Sequence, residues 1–240
     1  MNRYARQIIL PEIGEAGQKR LAEASVLIVG AGGLGSPAAL YLAAAGAGNI
    51  VIADADEVRI NNLNRQILYR EKDLGQKKID AARQNLIEFN SRIKIETVGR
   101  VDRQKIGELF GRTRYAAVID GTDNFDTRYL LNEASIEFNV PYIYGAVLGW
   151  EGQLAVFDAM RGPCYQCVYR EPPVDAKTCI EAGVIGALTG IIGAMQASEA
   201  IKLIIGAGET LIGKILIINT LANNYKIIDT VRDPHCPACS

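Results

Sequence analysis

One stretch near the start of the chain, Val26 to Asp54, admits few folds. Val26-Leu27-Ile28-Val29 is an apolar run ending in Gly30-Ala31-Gly32-Gly33-Leu34-Gly35. Ser36 to Ala45, rich in Ala and Leu, reads as a helix that Gly46 and Gly48 stop. Ile50-Val51-Ile52-Ala53 is a second apolar run, ending at Asp54. Strand, helix and strand over about thirty residues is the size of a parallel crossover. Gly30, Gly32 and Gly35 fit G-x-G-x-x-G, with Gly33 adding backbone freedom. Such glycines permit a tight turn and a close approach of backbone N–H groups to phosphate, and the helix N-terminus favours negative charge. Asp54 stands where a carboxylate takes ribose hydroxyls. The stretch predicts a nucleotide site, against the plainer reading of a glycine-rich turn packed on a helix. It does not distinguish NAD from ATP.

The same patterning continues. Residues 76–90 carry helical apolar spacing (Ile79, Ala82, Leu86, Phe89), and Ile93 to Val98 alternates like a strand. Tyr115 to Ile119 is a buried run leading to Asp120-Gly121-Thr122-Asp123-Asn124; a helix over 124–139 and a strand over 141–147 follow. After Gly149 the pattern changes. Gln153 to Phe157 comes too soon for an intervening helix, which predicts an antiparallel neighbour. A long helix, roughly 190–205, precedes a hairpin of 215–218 and 225–231. Between them, 161–180 holds three prolines and three cysteines with no clear period, a loop length that is usually functional or disordered. The expected fold class is α/β: a Rossmann-like nucleotide-binding half continuing into a mixed or antiparallel half on one sheet.

Four of the five cysteines form two pairs, Cys164-Tyr165-Gln166-Cys167 and Cys236-Pro237-Ala238-Cys239. Each pair can clamp one edge of a tetrahedral metal, and four thiolates close a structural zinc site. The N-terminus has no signal-peptide pattern, and apolar stretches such as Val184 to Met195 are broken or too short for a membrane span. A cytoplasmic chain is expected, and in a reducing compartment paired cysteines favour metal or redox chemistry over disulfides. A dehydrogenase has no general need of such a staple. The net charge of -1 gives no general attraction to nucleic acid or anionic membrane.

Asn61-Asn62-Leu63-Asn64-Arg65-Gln66 suits donation to sugar, base or phosphate oxygens. It reads equally as a capping loop with a solvated arginine. Lys77 and Lys78 stand at a helix start, where they oppose the helix dipole. A phosphate-binding lysine produces that conflict, and so does a solvated charge. Asp120 and Asp123 end a strand on the ligand-bearing edge of such sheets. An aspartate there can hold magnesium on a triphosphate or cap the helix that starts near Asn124.

Taken together, these residues resemble the ThiF/MoeB/HesA family of ubiquitin-like-protein adenylyltransferases, the prokaryotic relatives of ubiquitin-activating enzymes. The resemblance spans essentially the whole chain. It rests on Arg3-Tyr4-Ala5-Arg6-Gln7, the glycine loop, Asp54-Ala55-Asp56, Asn61 to Gln66, Gly75 to Lys78, Gly121 to Asn124, Thr178 to Gly183 and both cysteine pairs. It implies that the glycine loop approaches ATP phosphates and Asp54 holds the ribose. Asn62, Arg65 and Lys78 then contact the phosphates, Asp123 binds magnesium or orients the α-phosphate, and Asn61, Leu63, Asn64 and Asn124 complete the cofactor-binding set. Arg6 resembles an arginine donated across a homodimer interface. Cys164, Cys167, Cys236 and Cys239 match zinc ligands. The implied reaction is adenylation of the C-terminal carboxylate of a small carrier protein ending in Gly-Gly, for sulfur transfer in thiamin or molybdopterin synthesis. A carboxylate is ionised at neutral pH, so positioning and charge neutralisation suffice. A chain with one histidine, His235, can therefore be an enzyme.

The resemblance implies a single adenylation domain over 1–240: an N-terminal helical arm (1–25), a nucleotide-binding half (26–148) and a carrier-binding and zinc half (149–240). The chain ends one residue past Cys239, so the persulfide donor is expected to be a separate protein. Cys179 is the odd cysteine, either a covalent or sulfur-transfer residue or a small loop residue without catalytic duty. Two other readings compete: an NAD-dependent oxidoreductase, and a non-catalytic nucleotide-binding zinc scaffold.

Overall fold

The computed structural model describes residues 2–172 and 183–240. Among them, eight strands form one mixed sheet. β1 (Ser25–Val29), β2 (Asn49–Ala53), β3 (Lys94–Val98), β4 (Ala117–Asp120) and β5 (Tyr142–Leu148) run parallel in the order β3-β2-β1-β4-β5. β6 (Glu151–Phe157), β7 (Lys214–Asn219) and β8 (Asn224–Asp229) extend it antiparallel. The change of direction falls at Gly149, whose φ of 57° suits a residue without a side chain in the tight turn from β5 to β6.

The parallel strands are continuous apolar runs because helices cover both of their faces. Along β1, Val26 and Ile28 point into a cluster with Ala38 and Leu42 of α3 (Gly35–Ala45), Leu86 of α4 (Lys78–Phe89) and Ala197 of the helix Gly186–Ile205. Leu27 and Val29 point the other way, to Leu109 of α5 (Arg103–Arg112) and Leu131 of α6 (Phe125–Phe138). The helix over 103–112 was not legible from apolar spacing. It starts at the Asp102 carboxylate, which accepts from the Lys105 amide at 2.8 Å. Among the described residues of the 161–180 stretch, one short helix, α7 (Tyr165–Val168), starts at Cys164 and carries Cys167. The long helix, α8, begins at Gly186, earlier than its sequence pattern suggests. By length and composition α8 could cross a membrane, but more than half of its apolar window is buried against the sheet and α3. It is a core helix.

The N-terminal helices α1 (Ala5–Ile8) and α2 (Gly14–Glu23) dock at the C-terminal end of α3. The Tyr4 hydroxyl accepts from Asn90 Nδ2 at 3.0 Å, and its ring lies where a Cβ on Gly46 would be. Gln7 Nε2 donates to the Ala45 carbonyl at 3.0 Å and to Gln18 at 2.7 Å. At the opposite margin of the sheet, all six residues of β8 are exposed.

Candidate functional site

Strand order reverses between β1 and β4, and in open α/β sheets ligands bind in the crevice beyond such a switch point. A cleft of about 1440 Å³ opens there. Its floor is the glycine loop packed on the turn after β4. Gly30 has φ 92°, and a Cβ on it would stand 2.5 Å from the Gly121 carbonyl oxygen. A Cβ on Gly35 would collide with the Gly30 carbonyl. Both positions therefore require glycine.

One loop residue is fixed on every side. The Ala31 amide donates to Asp54 Oδ2 at 2.7 Å, and its carbonyl accepts from the Tyr69 hydroxyl at 2.9 Å and from Ser36 Oγ at 3.3 Å. Burial, and then the charges of Asp54, Asp56 and Asp73, push the Tyr69 hydroxyl far above its ordinary range, so it stays a proton donor. Sequence reasoning missed Tyr69, because its partner is a backbone carbonyl far away in the chain. Gly30, Gly32 and Gly33 line the cleft; Gly35 supports them from behind.

Lys78 is the first residue of α4, and its side chain is 6% exposed. Its Nζ lies 2.8 Å from Asp56 Oδ2 and 4.0 Å from Asp54 Oδ2. The two carboxylates offset both its burial and its clash with the helix dipole. Lys78, Asp54, Asp56 and Arg65 all face the cleft. Arg65 Nη1 donates to the Asn61 carbonyl at 2.9 Å and Asn64 Oδ1 at 3.0 Å, which holds it over the loop. Of the 61–66 segment, Arg65 and Gln66 line the cleft. Asn62 caps locally, accepting from the Arg59 amide at 3.0 Å, and Leu63 packs on the core. Gln66 is buried and its Oε1 has no partner among the described residues, beside the glycine loop.

The two aspartates after β4 part company. Asp120 is wholly buried and internally engaged. It accepts from the Thr122 amide (2.8 Å), Thr122 Oγ1 (2.6 Å) and the Tyr142 hydroxyl (2.8 Å), and pairs with Arg128 Nε at 3.4 Å. Burial pushes its carboxyl up against the pull of Arg128 and these donors. Of the two strand-end aspartates open to magnesium, Asp120 has its oxygens engaged in bracing the strand end. Asp123 is exposed, makes no hydrogen bond among the described residues, and faces the cleft. The capping role belongs to Asn124, whose Oδ1 accepts from the Thr127 amide at 2.9 Å. Arg128, not singled out from sequence, lies over the rings of Phe125 and Tyr144, each 5.3 Å from its guanidinium carbon.

Arg6 is exposed and takes no part in this cleft. Cys179 lies outside the described residues. The other four cysteines converge: Sγ separations are 3.8 Å (Cys164–Cys167), 3.6 Å (Cys164–Cys236) and 3.5 Å (Cys167–Cys239), and all four sulfurs lie within 4.8 Å of one another. A tetrahedral thiolate site with metal–sulfur bonds of about 2.3 Å has sulfur–sulfur edges of about 3.8 Å, so the cluster has the dimensions to hold one ion.

Comparison with known proteins agrees with this geometry. The profile of the ThiF family matches residues 4–238. The sulfur carrier protein adenylyltransferase of Thermus thermophilus is 39% identical, over 100% of this chain and 90% of its own length. The adenylyltransferase and sulfurtransferase MOCS3 of Culex quinquefasciatus is 45% identical over 99% of this chain, which spans only 55% of that protein. Among solved structures, MccB of E. coli with ATP superposes with a TM-score of 0.87 at 23% identity, over 100% of this chain and 74% of that one, a likeness of fold.

Proposed function

The chain belongs to the ThiF family, and from that premise we propose that it is an adenylyltransferase that uses ATP to activate the C-terminal carboxylate of a small ubiquitin-like sulfur-carrier protein ending in Gly-Gly. The observation that carries the reading is the convergence of Arg65, Lys78 and Asp123 on the cleft floored by the glycine loop, with no histidine there. Phosphate-handling cations without a general base suit a nucleophile that is already ionised. Gly32 and Gly33 receive the triphosphate, and Asp54 accepts from the ribose. Arg65 and Lys78 draw charge from the phosphates as a carboxylate oxygen bonds to the α-phosphorus and the bond to the β-phosphate breaks. Pyrophosphate leaves and the acyl-adenylate stays. Magnesium, held by Asp123, would supply further charge neutralisation. An NAD-dependent oxidoreductase leaves Arg65, Lys78 and the cysteine cluster without a shared purpose.

The thiolate cluster suits zinc, which would staple the C-terminal tail beside α7. The sulfur of a separate persulfide donor then attacks the acyl carbon and AMP leaves; a thiol cleaves the resulting acyl disulfide to the thiocarboxylate, for thiamin or molybdopterin synthesis in the cytoplasm. Residues 26–148 then form the nucleotide half and 149–240 the carrier and zinc half of one adenylation domain. Arg6 acts in a homodimer. The arm carrying it docks at the far end of α3, and 11 helical residues at about 1.5 Å each place it about 16 Å from its own glycine loop.

Exchange of labelled pyrophosphate into ATP, dependent on a purified Gly-Gly carrier, tests the reading. Lys78→Ala is expected to lower the exchange by about 100- to 1000-fold, the size typical of losing one preorganised charge-stabilising group. Exchange that needs no carrier, or that survives Lys78→Ala unchanged, defeats it.

A further inference from the structure

The cleft does not stop at the nucleotide groups; it runs on over the antiparallel half. Ala146 on β5, Gln153 on β6 and Ile217 on β7 are register partners in one row across the sheet, and all three line the cleft. Neighbouring strands are about 4.8 Å apart, so the row makes a track of about 10 Å. That length accommodates about three residues of extended chain. Aromatic rings wall the track. Tyr144 lies between Arg128 and Tyr169, with the two tyrosine rings tilted by 45° and their centroids 5.5 Å apart.

Gln153 is held in a particular way on this track. Its Oε1 accepts from the Tyr169 hydroxyl at 2.7 Å and the Tyr144 hydroxyl at 3.4 Å. Burial pushes both hydroxyls above their ordinary range, so both remain donors. With its carbonyl end clamped, the amide nitrogen of Gln153 has no partner among the described residues. Nearby, the wholly buried Tyr165 carries a hydroxyl with no partner among the described residues. Gln153 lies two strands beyond β4, the strand that leads to Asp123 and the phosphate groups. A peptide entering this space loses water from one carbonyl per residue and must find donors in exchange.

We propose that Gln153 is a specificity-determining residue that binds the backbone of the carrier's C-terminal tail, its amide nitrogen donating to a tail carbonyl while Tyr144 and Tyr169 hold its carbonyl end in place. This rests on the adenylation reading above. Tyr169 directly follows α7, the helix that Cys164 precedes and that carries Cys167, and its carbonyl accepts from the Tyr129 hydroxyl at 3.0 Å. The wall that aims Gln153 is therefore anchored to the thiolate cluster.

The test is pyrophosphate exchange by the full chain with a purified ubiquitin-like sulfur carrier ending in Gly-Gly, measuring KM for carrier and for ATP separately. Gln153→Glu keeps both phenol bonds and replaces the free donor by an acceptor. It is expected to raise the carrier KM by about tenfold or more and to leave the ATP KM and melting temperature unchanged. Gln153→Met, of the same length and without a donor, is expected to follow it. An unchanged carrier KM in either folded variant, or an ATP KM that rises in step, overturns the assignment. Absence of exchange by the wild-type chain overturns the adenylation reading as well, and is told apart from the first failure by that control.

Discussion

The two halves of the sheet obey different rules. In the parallel half, β1 is buried on both faces, and its loop is so tightly packed that Gly30, Gly35 and Gly121 leave no room for a methyl group. In the antiparallel half, packing thins strand by strand until β8 has no buried residue. In the proposed reaction the nucleotide is the constant substrate, and the residues assigned to it sit on a frame that cannot yield. A protein partner needs surface, and the half that the reading assigns to it is the half left open.

The sharpest way to break this comparison is to place the same insult in each half. Gly35→Ala drives a Cβ into the Gly30 backbone, which cannot move aside, and is expected to cost roughly 4 kcal/mol or more in urea unfolding. Next in size is treatment with a chelator under reducing conditions, which would strip the zinc proposed for the thiolate cluster. Opening the loop between Cys167 and Cys236 forfeits about 4 kcal/mol of loop-closure entropy. The tail from Asp233 should become protease-sensitive and carrier affinity should fall, while ATP affinity holds. Loss of ATP affinity would mean that the two halves are not separable. Tyr69→Phe removes one hydrogen bond to Ala31, about 1 kcal/mol, and should raise the ATP KM about fivefold without moving the carrier KM. Smallest is Ile227→Ser on β8, expected to stay within about 0.5 kcal/mol of wild type. An effect there as large as that of Gly35→Ala would end the contrast.

The parallel half was also the more legible in sequence, for the same reason. Continuous runs such as Val26 to Val29 and the glycine spacing are local signals, and the structure places them as read. Lys78 was legible as a local conflict with its helix dipole. Asp120 and Asp123 could not be told apart, because strand-end position alone does not separate a ligand from a brace; Tyr142 and Arg128, which engage Asp120, arrive from other elements. Tyr69 and Gln153 act through partners many residues away, and no spacing encodes such pairs. The Arg103–Arg112 helix escaped because its apolar residues, Ile106, Leu109 and Phe110, are few and its cap is a single aspartate.

The outer edge of β8 has a further consequence. Among the described residues no strand pairs with it, so its backbone donors and acceptors form an open ladder flanked by Tyr225, Ile227 and Ile228. An open ladder recruits strands without regard to their identity, and charges are the usual deterrent. Here Lys226 and Asp229 supply them. The colloidal behaviour of the chain, as distinct from its chemistry, therefore hangs on two side chains at the margin of the sheet.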